Sequence, residues 1–322
     1  MGHDKLRKFA ENETFSCLLQ PDASAVLDKS GDPSLGLRLN DHPVKGHWNS
    51  TMFKKDQPIV LELGCGKGEY TIDLSKRVPG NNYIGVDIKG ARLWRGAKTA
   101  TEENLTNVAF LRTRIEFIEA FFGPGEVSEI WLTFSDPQLK SENSRLTSPL
   151  FLERYRKFLK PGGVIHLKTD SRFLHEYSKA VALENGLTIL DSTTDLYGDA
   201  SALEVSPRST SAPRTPPYPS KSSREQVLFP PSPSMVPPLT WPRVATVAGG
   251  TPPPARRSSA LYEVQTFYER MFLSQGYKIT YLAFTIDHEG PYMHPSSFDS
   301  DYWRSIEGPR RFSHQTDSVR KG

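Results

Sequence analysis

The sequence predicts an α/β fold with a mostly parallel β-sheet, interrupted by one long segment of different composition. From Gln57 onward, apolar strand patterns alternate with amphipathic helical patterns. The first strand pattern runs into a turn with three glycines, as in the strand–turn–helix units of parallel sheets. Residues 198–260 then hold 14 of the 26 prolines, and such a run cannot form a helix or a central strand.

Residues 1–57 precede this pattern and are predicted to form an N-terminal arm over the main domain. The stretch is polar and mixed, with several Pro, Gly and Asp residues. Within it, Lys45 to Trp48 sets a basic residue beside an aromatic one. Surface packing is the simpler interpretation of that cluster, and contact with a nucleobase is the alternative.

Residues 58–197 and 261–287 are predicted to form the main domain. Its strand patterns lie at 59–63, 82–87, 108–112, 129–134, 163–169, 187–193 and 278–286. Its helical patterns lie at 68–77, 89–104, 114–122, 147–160, 171–185 and 261–273. Because strand–helix–strand connections are right-handed, this alternation predicts a parallel sheet. Ligands of such sheets bind beyond the carboxyl ends of the strands.

Two segments are predicted to be disordered. Residues 198–260 form a Pro/Ser-rich insertion whose composition favours a solvated loop. Residues 288–322 are polar and without periodicity, so we expect a disordered tail.

Composition limits the classes of function. The net charge is +3, but residues 198–260 contain seven Lys or Arg against three acids, so the global charge does not indicate a nucleic-acid surface. The two cysteines, Cys17 and Cys65, have no metal-binding spacing. No apolar run approaches the ~18 residues of a membrane span, and the N-terminus lacks the apolar region of a signal peptide. We expect a cytoplasmic protein with no metal or membrane partner; the oligomeric state is not predicted.

The glycine turn reads I-V-L-E-L-G-C-G-K-G-E-Y, with Glu62 two residues before Gly64, then Gly66 and Gly68. A dinucleotide fingerprint requires a further glycine where Glu69 stands. An acid two residues before G-x-G-x-G resembles instead the first motif of S-adenosylmethionine-dependent methyltransferases. The alternative is an ordinary glycine turn without a ligand.

Asp87 ends the second strand pattern, about 20 residues beyond the glycine turn. A carboxylate there can accept hydrogen bonds from both ribose hydroxyls of an adenosine cofactor. It can also be only a helix N-cap. Asp87 does not separate a methyl donor from a dinucleotide, so the missing glycine at position 69 is the discriminating feature.

The fourth strand pattern leads into S-D-P-Q, and its proline restrains Asp136 to an extended conformation. Asp-Pro is also a common turn. Lys140 and Arg145 follow in a loop suited to a phosphate, or simply solvated. Asp170 ends the fifth strand pattern and brings a second carboxylate to the same edge.

The letters T-F-Y-E follow the insertion and offer a hydroxyl, two aromatic rings and a third carboxylate. On a helix, Phe267 would belong mostly to the core. Thr266 and Glu269 are therefore the candidates for ligand contact.

Together these motifs resemble the bacterial tRNA (guanine-N7-)-methyltransferase family. V-L-E-L-G-C-G-K-G-E-Y, G-V-D, F-S-D-P-Q-L-K, L-K-T-D and T-F-Y-E occur in the order of that family, and K-L-R-K-F-A-E-N-E-T-F resembles its Bacteroidetes members. The resemblance covers residues 1–197 and 261–287. It implies a Rossmann-like class I S-adenosylmethionine-dependent methyltransferase fold, with a seven-stranded, mostly parallel sheet and an antiparallel last strand. It also implies methylation of N7 of guanine 46 in the tRNA variable loop.

The resemblance implies roles for individual residues, with Asp136 as the catalytic aspartate. The implied contacts to S-adenosylmethionine are Glu62, Gly64, Gly66, Gly68, Asp87, Thr113 and Asp136. Thr113 is the nearest match to a position that is often acidic in the family. The implied contacts to tRNA are Lys140, Asp170, Thr266, Phe267, Tyr268 and Glu269.

Two departures from the family leave alternatives open. The basic run that commonly follows the D-P motif is reduced here to K-S-E-N-S-R, and the insertion falls just before T-F-Y-E. A methyltransferase acting on a small molecule or a protein would turn over without tRNA. A non-catalytic tRNA-binding relic would retain tRNA without methylating it. A nicotinamide enzyme ranks last, because of Glu69.

Overall fold

The structure of the protein is a computed structural model that describes residues 3–28, 38–198 and 259–307. Eight strands within these ranges form one sheet. In chain order they are β1 (Leu18–Leu19), β2 (Ile59–Leu63), β3 (Asn82–Asp87), β4 (Val108–Arg112), β5 (Val127–Thr133), β6 (Leu159–Thr169), β7 (Ile189–Thr193) and β8 (Thr280–Thr285). Their spatial order is β1-β4-β3-β2-β5-β6-β8-β7.

The predicted sheet is confirmed, with one added strand. All pairs from β4 to β6 are parallel, and β8 is antiparallel to both β6 and β7. The additional strand, β1, comes from the predicted arm and pairs in parallel with β4, Leu18 opposite Phe110. Its two residues are too few to show the alternation by which a strand is recognised in a sequence.

The α-helices of the described ranges are numbered here where both of their bounds are defined. They are α1 (His3–Asn12), α2 (Glu69–Arg77), α3 (Gly90–Glu102), α4 (Pro149–Tyr155), α5 (Arg172–Glu184), α6 (Ser259–Glu263), α7 (Phe267–Ser274) and α8 (Ser300–Glu307). The helix predicted at 114–122 is a 3₁₀ helix, Ile115–Ala120. The single helix predicted at 261–273 divides into α6 and α7. The division falls at Thr266, whose side chain caps α7 by accepting a hydrogen bond from the backbone N of Glu269.

The core lies on both faces of the sheet, because successive residues of a strand point to opposite sides. Strand β2 is buried along its whole length. On one face Leu61 belongs to a cluster that includes Trp48, and on the other Val60 belongs to a cluster with Tyr70 and Trp131. Because both faces of the sheet are covered, a ligand-binding site is expected at the carboxyl edge of the parallel strands. No helix in the described part of the chain has the length and apolarity to cross a membrane.

The prediction of a disordered tail from residue 288 is wrong for residues 288–307. Strand β8 ends at the amino edge of the parallel strands, and the chain then returns along α5. The backbone N of Met293 donates to Asn185 Oδ1 at 2.7 Å, and Phe298 packs edge-on against Phe173 with ring centroids 5.3 Å apart. Helix α8 reaches the start of α5, where the backbone N of Phe173 donates to Glu307 Oε2 at 3.0 Å. These contacts are irregularly spaced in sequence, so periodicity did not indicate them.

Three parts of the domain prediction concern residues outside the described ranges. These are residues 1–2 and 29–37 of the arm, residues 199–258 of the insertion and residues 308–322 of the tail. Within the range predicted as insertion, Ser259 and Ala260 already belong to α6. The division into an arm, a main domain and an insertion stays a prediction.

Candidate active site

A cavity of about 1130 Å³ lies at the carboxyl edge of the sheet. Residues at or just beyond the ends of five parallel strands line it: Glu62, Asp87, Thr113, Thr133 and Asp170. Every predicted site residue borders this one cavity except four: Gly68, Lys140, Arg145 and Glu269.

The glycine turn forms one wall of the cavity, and its backbone requires glycine. Gly64, Gly66 and Gly68 have φ values of 79°, 59° and 72°, in the left-handed region that other residues rarely adopt. The backbone N atoms of Gly64 and Cys65 both donate to the carbonyl oxygen of Val86, at 2.8 and 3.0 Å. The turn is therefore held against the end of β3.

Gly68 has a packing role behind the cavity. A Cβ atom at this position would lie 2.5 Å from Cε1 of Phe110, a distance that would require Phe110 to move. Gly68 thus allows α2 to start close to the sheet.

Glu62 lies at the base of the cavity and is buried. Its Oε1 accepts a hydrogen bond from Thr133 Oγ1 at 2.6 Å, and its Oε2 accepts from the backbone N of Thr71 at 2.9 Å and from the Thr71 hydroxyl. Burial raises the pKa of Glu62 to about 7, against the lowering effect of these hydrogen bonds. The carboxyl group joins β2, β5 and α2 beneath the turn.

Asp87 is fixed by two backbone donors. Its Oδ2 accepts from the N of Gly66 at 3.1 Å, and its Oδ1 accepts from the N of Lys89 at 2.7 Å. A carboxylate has about four acceptor positions, so Asp87 keeps capacity for a ligand. Thr113, at the end of β4, is buried and lines the same part of the cavity.

Asp136 is exposed and lies on a strained loop after β5. Its Oδ1 accepts from the backbone N of Gln138 at 2.9 Å. Phe134 and Gln138 have φ values of 50° and 47°, and left-handed backbone at such residues costs about 1–3 kcal/mol each. The backbone N of Phe134 donates to the carbonyl oxygen of Lys168 at 2.9 Å, which anchors the loop to β6. Strain of this kind is typical of functional loops.

The T-F-Y-E segment lies at the far side of the cavity. Phe267 and Tyr268 are 50% and 48% exposed, and both line the cavity. The expectation that Phe267 belongs to the core is therefore wrong, because the first turn of α7 faces the cavity. Thr266 also lines the cavity, while its hydroxyl serves as the cap of α7.

Glu269 does not line the cavity, in contrast to its predicted contact with substrate. It is fully buried, and its Oε1 lies 2.8 Å from Lys168 Nζ and accepts from Tyr197 OH at 2.6 Å. Burial raises the pKa of Glu269 and lowers that of Lys168, while their mutual attraction opposes both shifts. Lys168 also donates to the carbonyl oxygens of Leu261 and Val264. This cluster attaches α6 and α7 to β6.

The two basic residues after the D-P motif do not form a phosphate site in the cavity. Lys140 is exposed and lies outside it. Arg145 is buried, with its guanidinium 4.7 Å from the Phe173 ring centroid and 4.2 Å from that of Tyr177. Its Nε donates to the carbonyl oxygen of Gln138 at 3.3 Å. The prediction of a phosphate contact is wrong for Arg145, which supports the Asp136 loop.

Sequence reasoning missed several residues of the cavity wall. The basic ones are Lys67, Arg92, Arg114, Arg172 and Lys278. Lys67 was visible inside the glycine motif, but the others are scattered over four segments. Ile306 and Glu307 of α8 were missed because the tail was predicted to be disordered. In the described residues no group of three or more His, Cys, Asp or Glu side chains is arranged to hold a metal ion.

Comparisons with known proteins agree with the motifs. A family model described as "Putative methyltransferase" matches residues 56–209. The tRNA (guanine-N(7)-)-methyltransferase of Christiangramia forsetii is 40% identical over 285 residues, which cover 88% of this chain and 98% of the relative. The enzyme of the same name from Bacteroides thetaiotaomicron is 37% identical over 317 residues, covering 98% and 99%. That of Bacteroides fragilis is 52% identical over 197 residues, covering 61% and 74%.

Identity of this degree over nearly the whole chain, together with the motif order and the sheet topology, confirms the resemblance stated from the sequence. The chain belongs to the tRNA (guanine-N(7)-)-methyltransferase family.

Proposed function

We propose that the protein transfers the methyl group of S-adenosylmethionine to N7 of guanine 46 in the variable loop of tRNA. Family membership supports the reaction and the class of substrate. The observation that carries the proposal is the single cavity that the glycine turn, Asp87 and Asp136 share. A donor at the turn and an acceptor beside Asp136 would meet inside it.

The residues around the glycine turn fit an adenosyl donor. A Cβ atom at Gly64 or Gly66 would meet nothing within 4 Å, so the turn backbone borders open space that a ligand can fill. Asp87, held by Gly66 and Lys89, has acceptor capacity left for two ribose hydroxyls. When bound, the donor supplies an electrophilic methyl group on a sulfonium.

The acceptor side requires no general base. Guanine N7 carries an in-plane lone pair, so it can attack the methyl group without losing a proton. The purine becomes cationic, and the carboxylates of Asp136 and Asp170 are suited to stabilise this charge and to accept hydrogen bonds from the N1–H and N2–H groups of guanine. Most of the rate acceleration then comes from holding N7 in line with the bond that breaks.

Basic residues around the cavity favour an RNA acceptor over a small molecule. Lys67, Arg92, Arg114 and Lys278 are exposed, and all four line the cavity. They are suited to contact the phosphates on either side of the target nucleotide.

A labelling experiment tests the proposal. The purified protein is incubated with unmodified tRNA and methyl-labelled donor, and the modified base is mapped. We expect label at N7 of guanine 46, none in a transcript with adenine at that position, and weaker tRNA binding at higher salt. Turnover without tRNA would favour the small-molecule or protein methyltransferase. Retention of tRNA without label would indicate the non-catalytic relic.

A further inference from the structure

Glu69, which stands where a dinucleotide fingerprint has a glycine, contacts the segment beyond the insertion. It is the first residue of α2, and its Oε2 accepts a hydrogen bond from the backbone N of Phe267 at 2.7 Å. Lys67, two residues earlier, has its Nζ 5.4 Å from the centroid of the Phe267 ring. All three residues line the cavity. The donor-side turn and the acceptor-side helix therefore touch directly.

We propose that Glu69 is a positioning residue that couples the donor-binding turn to the start of α7, so that donor and tRNA raise each other's affinity. This inference rests on the proposed function, because it assigns the donor to the turn and the RNA to the T-F-Y-E side. Any such coupling is reciprocal by thermodynamic linkage.

The chemistry of the contact requires a side chain at position 69. The first backbone N–H groups of a helix have no partner within the helix. Thr266 accepts from the N of Glu269, and Glu69 accepts from the N of Phe267. A carboxylate also interacts favourably with the positive end of the helix dipole. A glycine at position 69 could not reach Phe267.

Helix α7 is anchored by different residues on its sheet side and on its cavity side. This difference explains how the contact between Glu69 and Phe267 can couple donor binding to tRNA binding. The buried Lys168–Glu269 pair fixes the segment from the sheet side, away from the cavity. The first turn of α7, with half-exposed Phe267 and Tyr268, is held from the cavity side by residues of the glycine turn. A ligand that fixes the conformation of that turn also fixes Glu69, and thereby the aromatic side chains that face the RNA.

Four variants separate the hydrogen bond from other effects. Glu69→Ala removes the acceptor, and Glu69→Gln keeps an oxygen at the same reach. Phe267→Pro removes the N–H at the first helical position, where proline is tolerated. Phe267→Ala removes the ring as proline does but keeps the N–H, so it is the matched control.

The first measurement is tRNA affinity with and without S-adenosylhomocysteine, the demethylated donor. In the wild-type protein and in Glu69→Gln we expect the compound to tighten tRNA binding about tenfold. In Glu69→Ala and Phe267→Pro we expect a change of less than about twofold, with Phe267→Ala retaining the effect. In turnover, Glu69→Ala should raise KM for tRNA and, because the coupling is reciprocal, should also raise KM for the donor at saturating tRNA, while kcat stays unaltered.

The second measurement needs neither tRNA nor activity. Hydrogen exchange of the Phe267 amide should slow on addition of S-adenosylhomocysteine in the wild type and in Glu69→Gln, but not in Glu69→Ala. Tenfold coupling that survives in Glu69→Ala overturns the inference, as does a wild-type protein that methylates tRNA without any coupling. A wild-type protein that shows the coupling but methylates no guanine would overturn the proposed function and leave the coupling standing.

Discussion

The two halves of the cavity are built in different ways. In the proposed function, the donor half comprises Glu62, the glycine turn, Asp87 and Thr113, which lie at or just beyond the ends of three successive strands. The acceptor half comes from four remote segments, with Phe134, Ser135, Asp136 and Gln138 from the first, Asp170 and Arg172 from the second, Thr266, Phe267 and Tyr268 from the third, and Ile306 and Glu307 from the fourth. The donor half is shaped by backbone hydrogen bonds and glycine conformations. The acceptor half depends on long-range side-chain pairs, above all Lys168–Glu269.

This difference predicts that the halves respond separately to mutation, and Asp136→Ala tests it most strongly. We expect methyl transfer to tRNA to fall about 10³-fold, since a carboxylate facing the developing charge is lost. Donor affinity, measured by calorimetry, should change less than about fivefold if the donor half is independent. Asp41→Ala, at an exposed carboxylate outside the cavity, is the matched control. Full activity in Asp136→Ala would exclude this residue from the mechanism.

Removing the central pair of the acceptor half should cost stability. Lys168→Met leaves Glu269 buried without its cation, and we expect the free energy of unfolding in urea to fall by about 4 kcal/mol. Adding Glu269→Leu to the same chain should restore most of the loss, because no unpaired charge remains. If the free energy of unfolding of Lys168→Met alone lies within about 1 kcal/mol of the wild-type value, the pair does not hold α6 and α7 against the sheet.

The donor half contains its own pH-dependent element. Burial raises the pKa of Glu62 from 4.5 to about 7. Between these values the folded protein retains a proton that the unfolded chain releases. The stability from neutral Glu62 is thus complete below about pH 4.5 and is lost as pH rises to about 7, by about 3 kcal/mol in total. Unfolding curves of the wild type and of Glu62→Gln between pH 4.5 and 7 measure this contribution to the free energy of unfolding. If the stabilities of the two proteins change in parallel with pH, Glu62 makes no such contribution.

Deleting the insertion should affect neither half. Its two ends already meet, with Tyr197 OH 3.4 Å from the carbonyl oxygen of Tyr262, and the backbone N of Leu196 donates to the oxygen of Ile279. Replacing 199–258 by a short Gly/Ser linker should leave methyl transfer within about twofold. It should also raise stability by 1–2 kcal/mol at most, since loop closure depends weakly on length. A loss of solubility would indicate that the segment contributes to the fold.

The same contrast explains what the sequence could predict. Strands Ile59–Leu63, Asn82–Asp87 and Val108–Arg112 have the predicted bounds, because each is an apolar run between polar or turn residues. The donor residues follow directly from those strand ends. In this half of the cavity, a short stretch of sequence determines both the motif and the geometry that it presents to a ligand.

Residues of the acceptor half were harder to interpret because their environments come from distant parts of the chain. Arginine is a residue type that is usually exposed, yet Phe173 and Tyr177 bury Arg145. Glu269 has the chemistry of a ligand contact, yet Lys168 draws it into the core. Glu69 is separated from Phe267 by 198 positions. No pattern within a window of ordinary length contains these pairs.

Because the chain returns along α5, one side of the cavity wall is formed by helix α8, which lies outside the sheet. Helix α8 is attached there by Arg304, which donates to the carbonyl oxygen of Leu139, and by Glu307, which accepts from the backbone N of Phe173. Residues 300–307 contribute no strand to the sheet, so we expect substitutions on this helix to leave the sheet unaltered. Because Ile306 and Glu307 border the cavity, we expect such substitutions to change selectivity for the nucleotides beside the target guanine without changing the affinity for the methyl donor.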